Sequence, residues 1–152
     1  MSSKALDNFE EGFDFNENDN GDLRVDLYEV EASRNGEEGI DLEEDDDYGD
    51  SGDLVGTFAL ITANGNHYGD AGLKIREKQT GALQVTVDGV VANGSGFVNG
   101  VPVLDEDVDP EADADTINEP VVVAGVHIRE TGAGNAAVLV ANGNSGKWDR
   151  NP

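Results

Sequence analysis

Cysteine is absent from the 152 residues, which excludes disulfide staples, thiolate zinc sites and a cysteine nucleophile. Basic residues are scarce: nine Lys and Arg, only four of them Lys, stand against 33 Asp and Glu. The formal net charge of −24 argues against nucleic acid and against an anionic membrane surface as direct partners, since both are polyanions. No apolar run approaches the roughly 18 residues that a membrane-spanning helix needs. The opening "MSSKALDNFEEGF" lacks the basic and apolar regions of a signal peptide, so no export signal is visible and synthesis in a host cytoplasm is expected. Aromatics make up 6% of the chain, with one Trp, and against them stand 20 glycines. That balance favours strands and turns over a helical bundle.

The acidity is uneven. Residues 1–53 hold 20 acids and 3 bases, and "DEDVDPEADAD" at 105–115 holds seven more acids. Outside those two segments the chain has six acids and six bases. The charge divides the chain into an acidic N-terminal arm at 1–53 and a β body at 54–152, which carries an acidic insertion at 105–118. The run "DLEEDDDYGDSGD" at 41–53 reads as a hydrated, salt-tolerant segment that does no chemistry. Screening at about 1 M salt shrinks the Debye length to about 3 Å, so such a surface suits concentrated brine.

The body alternates apolar and polar residues with the two-residue period of strands. "GALQVTVDG" puts Leu83, Val85 and Val87 on one face, and "LVGTFALIT", "VVVAGV" and "AAVLVA" read as strands buried on both faces. Six Asn-Gly dipeptides signal hairpins. Three of them close apolar runs as "ANG", at spacings of 29 and 49 residues, and without a common period these read as turns of one fold rather than a solenoid. The expected fold is all-β, a compact barrel or sandwich of about seven short strands. In the arm, residues 2–13 read as a short helix with Leu6, Phe9 and Phe13 on one side, and "DLRVDLYEVE" as one added strand.

Motifs for chemistry fail on context. "GDSGD" at 49–53 resembles a serine-protease nucleophile segment, yet His67 and His127 both follow Ser51 and the serine sits in the acidic run. "GAGNAA" at 132–137 fits a dinucleotide fingerprint but precedes no helix, and reads as a hairpin between strands 121–130 and 136–141. "NENDNGDLRVDL" at 16–27 mimics a calcium loop with Leu27 where a bidentate Glu belongs. The insertion sets Asp105, Asp107 and Asp109 at every second residue, a weak site for calcium or magnesium and the one cofactor left open. An enzyme is not expected.

"EPVVVAGVHIRETGAGNAAVLVANGNSG", with "GALQVTVDGVVANGSGFVNGVPVL" before it, resembles the head decoration proteins of tailed viruses. That resemblance implies a non-enzymatic virion protein, a β-barrel-like homotrimer clamped outside an icosahedral capsid onto the major capsid protein, with an N-terminal arm that orders on the shell. The acidity makes the host a halophile. The residues expected to dock are Leu6, Phe9, Phe13 and Phe15, with Leu23, Val25 and Leu27 adding a strand to the shell protein. The alternatives are a calcium-dependent adhesive or turret module and an acidic nucleic-acid mimic that binds a basic protein.

Overall fold

The computed structural model describes residues 2–19, 21–45, 52–66, 71–93, 97–98, 101–102, 124–132, 134–142, 145–146 and 148–151. Period-two segments form strands as expected, but each pairs with a strand one turn of chain away. The first coil holds β1 (Ser3–Leu6), β2 (Phe13–Glu17) and β3 (Leu23–Tyr28), and the second β4 (Val30–Ser33), β5 (Ile40–Glu44) and β6 (Leu54–Ala59). The third contributes a single bridge at Thr62, then β7 (Ala71–Gln79) and β8 (Leu83–Asp88). The fourth holds β9 (Val91–Ala92), a small antiparallel pair β10 (Phe97–Val98) and β11 (Val101–Pro102), then β12 (Ala124–Gly132) and β13 (Ala136–Ala141). The fifth holds β14 (Ser145–Gly146) and β15 (Trp148–Asn151).

Like strands stack in parallel register into three walls. The second wall runs β2-β5-β7-β12-β15 and the third β3-β6-β8-β13, while the first joins β1 to β4, continues through Glu31, Thr62 and Val91, and ends on β14. Register is strict: Phe13 pairs with Ile40, Ile40 with Leu73, Leu73 with Val126 and Val126 with Trp148. The molecule is a parallel β-solenoid. The all-β expectation holds. The compact barrel or sandwich of about seven strands gives way to stacked parallel sheets, because most of the turn signals mark corners between walls. Only β10 and β11, on either side of Asn99-Gly100, keep the antiparallel pairing of a hairpin among the described residues, with Val98 opposite Val101. "GAGNAA" is one such corner, joining β12 in the second wall to β13 in the third. The expected helix at 2–13 is absent: Ser3–Leu6 is a strand paired with Val30–Ser33. The residues read as an acidic arm supply β1 to β5, strands in the same walls as the body.

Inward residues build one core. Ile40, Leu42, Leu54, Phe58, Leu73, Ile75, Leu83, Val85, Val87, Val126 and Ile128 are buried in it. Gly56 falls in register between Val25 and Val85, and the Phe58 ring lies within 2.7 Å of where a Gly56 Cβ would stand, so the missing side chain makes room for the ring. Two corners turn through single residues with left-handed backbone. Asp7, Arg34 and Gly65 have φ of 57°, 60° and 66°, and Glu29, Leu60, Gly89 and Asn142 have 54°, 55°, 63° and 39°. The amides of Asp7, Arg34, Gly65, Glu29, Leu60 and Gly89 each donate to a carbonyl of the next coil, for example Arg34 N–H to the Asn64 oxygen at 3.0 Å and Leu60 N–H to the Asp88 oxygen at 2.9 Å. The column accepts the energetic cost of positive φ in Leu60 because the turn geometry repeats rung after rung.

Candidate functional site

Two polar ladders run inside the stack, and one charged face and one open end lie outside it. The first ladder is amide. Asn35 and Asn66 are fully buried at the corner entering the second wall. Asn66 Oδ1 accepts from Asn35 N–H at 3.0 Å and Asn35 Nδ2 at 3.1 Å, while Asn66 Nδ2 donates to the Ala32 carbonyl at 3.1 Å. Asn35 Oδ1 in turn accepts from Asn8 N–H and Nδ2 at 3.2 and 3.0 Å. Each amide side chain satisfies backbone that the corner takes out of the sheet. The second ladder is acidic: Glu17, Glu44, Glu77 and Glu130 are in register at the other end of the same wall. Glu44 Oε1 accepts from Gly52 N–H at 2.9 Å, and added side chains at Gly81 and Gly134 would meet Glu77 and Glu130 oxygens at 2.8 and 2.9 Å. The carboxylates sit under the corner glycines. Those glycines also pack backbone to backbone, a Cβ on Gly81 falling 1.8 Å from the Gly52 carbonyl oxygen.

On the outward side of the second wall, coil two presents Asp41, Glu43 and Asp45 to Lys74, Arg76 and Lys78 of coil three. Lys74 Nζ lies 2.8 Å from Glu38 and 3.2 Å from Asp41, and Lys78 Nζ lies 2.9 Å from Asp45. Arg76 and Lys78 both pair with Glu43. Lys74 is 2% exposed, so its charge is compensated by pairing and not by water. Burial pushes the Asp41 carboxyl up to about 6, against the pull of Lys74 and Arg76. This overturns the reading of 41–53 as wholly hydrated: Asp41 and Glu44 are buried residues of β5, and Asp41, Glu43 and Asp45 pair with cations of the next coil.

Glu11, Glu37 and Glu38 bring carboxylate oxygens within 4.8 Å of one another beside this face, a grouping the sequence reading missed. Glu38 already pairs with Lys74, which supplies the local positive charge. Asp105, Asp107 and Asp109 lie outside the described residues, as do Ser51 and His67. His127 is buried in β12, in register with Lys74. Residues 16–27 cross from β2 through a corner into β3.

The seven docking residues converge on the first coil. Phe13, Phe15, Leu23, Val25 and Leu27 point inward and pack against the core from its open end, half-buried because no described coil covers them. Leu6 closes β1, also half-buried, and Phe9 projects 92% exposed. The rings of Phe13 and Phe15 stack at 6.4 Å with 5° between their planes. β1, β2 and β3 are each the outermost strand of their sheets, so three lines of backbone edge surround this apolar end. At the far end of the third wall, Leu139 and Val140 are exposed on β13.

The fold and its ladders define a stacked-coil solenoid with one open, acid-rimmed apolar end. No protein-family model, curated protein or solved structure matches the chain.

The repeat itself was legible. "NFEEGFDFNE" at 8–17 and "NGEEGIDLEE" at 35–44 share the ladder Asn, the Glu-Glu-Gly, the apolar pair and the final Glu, 27 residues apart. "IRE" recurs at 75–77 and 128–130 in register.

Proposed function

We propose that the chain is a non-enzymatic structural protein that docks by its first coil, and that its site of action is the outside of a virus capsid in concentrated salt. One observation carries the docking: the N-terminal coil leaves Phe13, Phe15, Leu23, Val25 and Leu27 half-buried beneath β1, β2 and β3, each the outermost strand of its sheet among the described residues. Free edges and an uncovered apolar layer are what strand addition uses. The capsid as partner, with the major capsid protein beneath, rests on the resemblance of residues 54–146 to head decoration proteins, and a homotrimer is part of the same reading. The charged face supports a structural role, because Lys74, Glu38 and Asp41 are closed to solvent and so to a substrate. The nucleic-acid mimic gains nothing, since the outward acids of β5 are met by Lys74, Arg76 and Lys78.

Particles purified in high salt test this. Val25→Lys with Phe15→Lys should fold and lose particle occupancy by tenfold or more, while Thr57→Lys on the outward face of β6 should bind as the wild type does. Equal occupancy of all three would sink the docking reading. A second reading, a calcium-dependent adhesive module, is favoured only by the Glu11, Glu37 and Glu38 grouping. Calorimetric titration with calcium should show no heat that disappears in Glu37→Gln, and such a heat would revive it.

A further inference from the structure

Inside the stack, an acidic edge is covered by a basic one. β5 presents Asp41, Glu43 and Asp45 outward, and β7 lays Lys74, Arg76 and Lys78 against them while Leu73 and Ile75 continue the core inward. The segment that does this, "GLKIREK", alternates apolar and basic residues. β2 repeats the acidic pattern one coil earlier: Phe13 and Phe15 face in, Asp14 and Asn16 face out, in register with Asp41 and Glu43. Its covered side therefore offers Asp14 same-sign neighbours, and its other side is an edge. The Asp14 carboxyl is raised by partial burial, then by Glu11 and Glu43, with Lys74 opposing.

We infer that β2, outermost in its sheet among the described residues, takes at its outer edge a strand of alternating apolar and basic residues, added in parallel register with a Lys or Arg beside Asp14. This deepens the docking reading above and rests on it, naming the chemistry of the partner's segment. The groups facing the new strand select for it. Phe13 and Phe15 need apolar residues to complete their layer, and Asp14, Glu11 and Glu10 form an acidic rim that only a cationic strand relieves. A second copy of this chain is a poor occupant, since apposed β2 edges would bring the acids of one copy, Glu10, Glu11, Asp14 and Glu17, against the same acids of the other. Like charges at that separation oppose pairing.

The test uses the full chain and a synthetic peptide of residues 71–79, AGLKIREKQ, at 1 M salt and again at 0.1 M. The control peptide replaces Lys74, Arg76 and Lys78 by Glu. The basic peptide should bind at least tenfold tighter than the control, with backbone amide shifts confined to residues 3–28, and more tightly at 0.1 M salt than at 1 M. In Asp14→Lys the preference should shrink or reverse, and Phe15→Ala should weaken both peptides. Equal binding of the two peptides, shifts outside the first coil, or no binding at millimolar basic peptide would overturn the inference. Particle occupancy that survives such a result would leave the docking reading standing with a different partner chemistry.

Discussion

Asp41 shows how a residue from an acidic run becomes part of a fold. Its carboxyl is buried 3.2 Å from Lys74, and burial lifts it to about 6. A folded-state value above the unfolded one means that the group favours folding most at pH below about 4. That contribution, about 3 kcal/mol from the two-unit shift, fades as pH rises through 6. Asp41→Asn should therefore flatten the fall in stability between pH 4 and 6.5, read as urea midpoints across that range, with little change above it. Asp7 and Asp22 act in the opposite sense: Arg34 lowers the one and the Asp53 amide with Arg24 lowers the other, so their share is kept above the unfolded value and lost in acid. Both are exposed, so their effect on the curve is small.

Leu60 is a second residue-scale case. It holds φ at 55° in a column where Gly89 does the same work without strain. Leu60→Asn should raise stability by about 1 kcal/mol, since Asn tolerates the left-handed region far better than Leu. A thermal melt that falls would mean that the Leu60 contact over Gly89 outweighs the strain.

At the scale of elements, strands were readable and their partners were not. The alternation in "GALQVTVDG" and "GLKIRE" does not distinguish a hairpin from a rung, because both bury one face. Asn-Gly misled at Asn64, Asn93 and Asn142 for a physical reason, since a hairpin and a solenoid corner both need left-handed backbone, whereas Val98 and Val101 on either side of Asn99-Gly100 do pair antiparallel. Of the three "ANG" segments, Asn64 and Asn93 stand at one corner, joined by an Asn93 N–H to Asn64 Oδ1 bond of 2.8 Å. Asn142 follows Ala141, which is in register with Asp88, and so turns a different corner. That is why the spacings of 29 and 49 share no period. Coil four adds to the confusion, since Leu83 and Ala136 are partners 53 residues apart where Leu54 and Leu83 are 29 apart. The candidate end face was half legible. Its seven residues were named, but as an arm that orders on a partner rather than as a folded coil.

The amide ladder gives the element-scale prediction. Asn66→Ala removes the acceptor of two Asn35 donors and the donor to Ala32, all buried. Orphaned buried polar groups cost about 1–3 kcal/mol each, so a loss of about 3 kcal/mol or more is expected. Chemical denaturation would measure it. Asn64→Ala, at a half-buried position of the neighbouring column, should cost about 1 kcal/mol. Comparable losses would mean that the buried ladder carries no special share of the stability.

At the scale of the whole molecule, charge and stacking act against each other. The formal net of −24 is concentrated in the first two coils, whereas coils three and four bring Lys74, Arg76, Lys78 and Arg129 to the second wall. Dilution of salt to about 0.01 M extends the Debye length to about 30 Å and lets every carboxylate feel the rest. The first coil, covered on one side only among the described residues, should then open first while coils two to four persist. Hydrogen exchange along a salt series should show residues 3–28 losing protection before residues 71–88. Uniform protection at low salt would contradict the picture of a stack held partly by screening.

The parallel stack is the claim on which the open end, the ladders and the docking edge all depend, and the absence of cysteine makes it directly measurable. Thr57 and Thr86 are in register on the outward face of adjacent coils. Neighbouring strands in a sheet lie about 4.8 Å apart, within the Cα separation a disulfide accepts. Thr57→Cys with Thr86→Cys should cross-link quantitatively under mild oxidant and raise the melting temperature, and Thr57→Cys with Asp88→Cys, two residues out of register, should not. Failure of the in-register pair to cross-link in the folded monomer, or equal cross-linking of both pairs, would contradict the stacked-coil architecture.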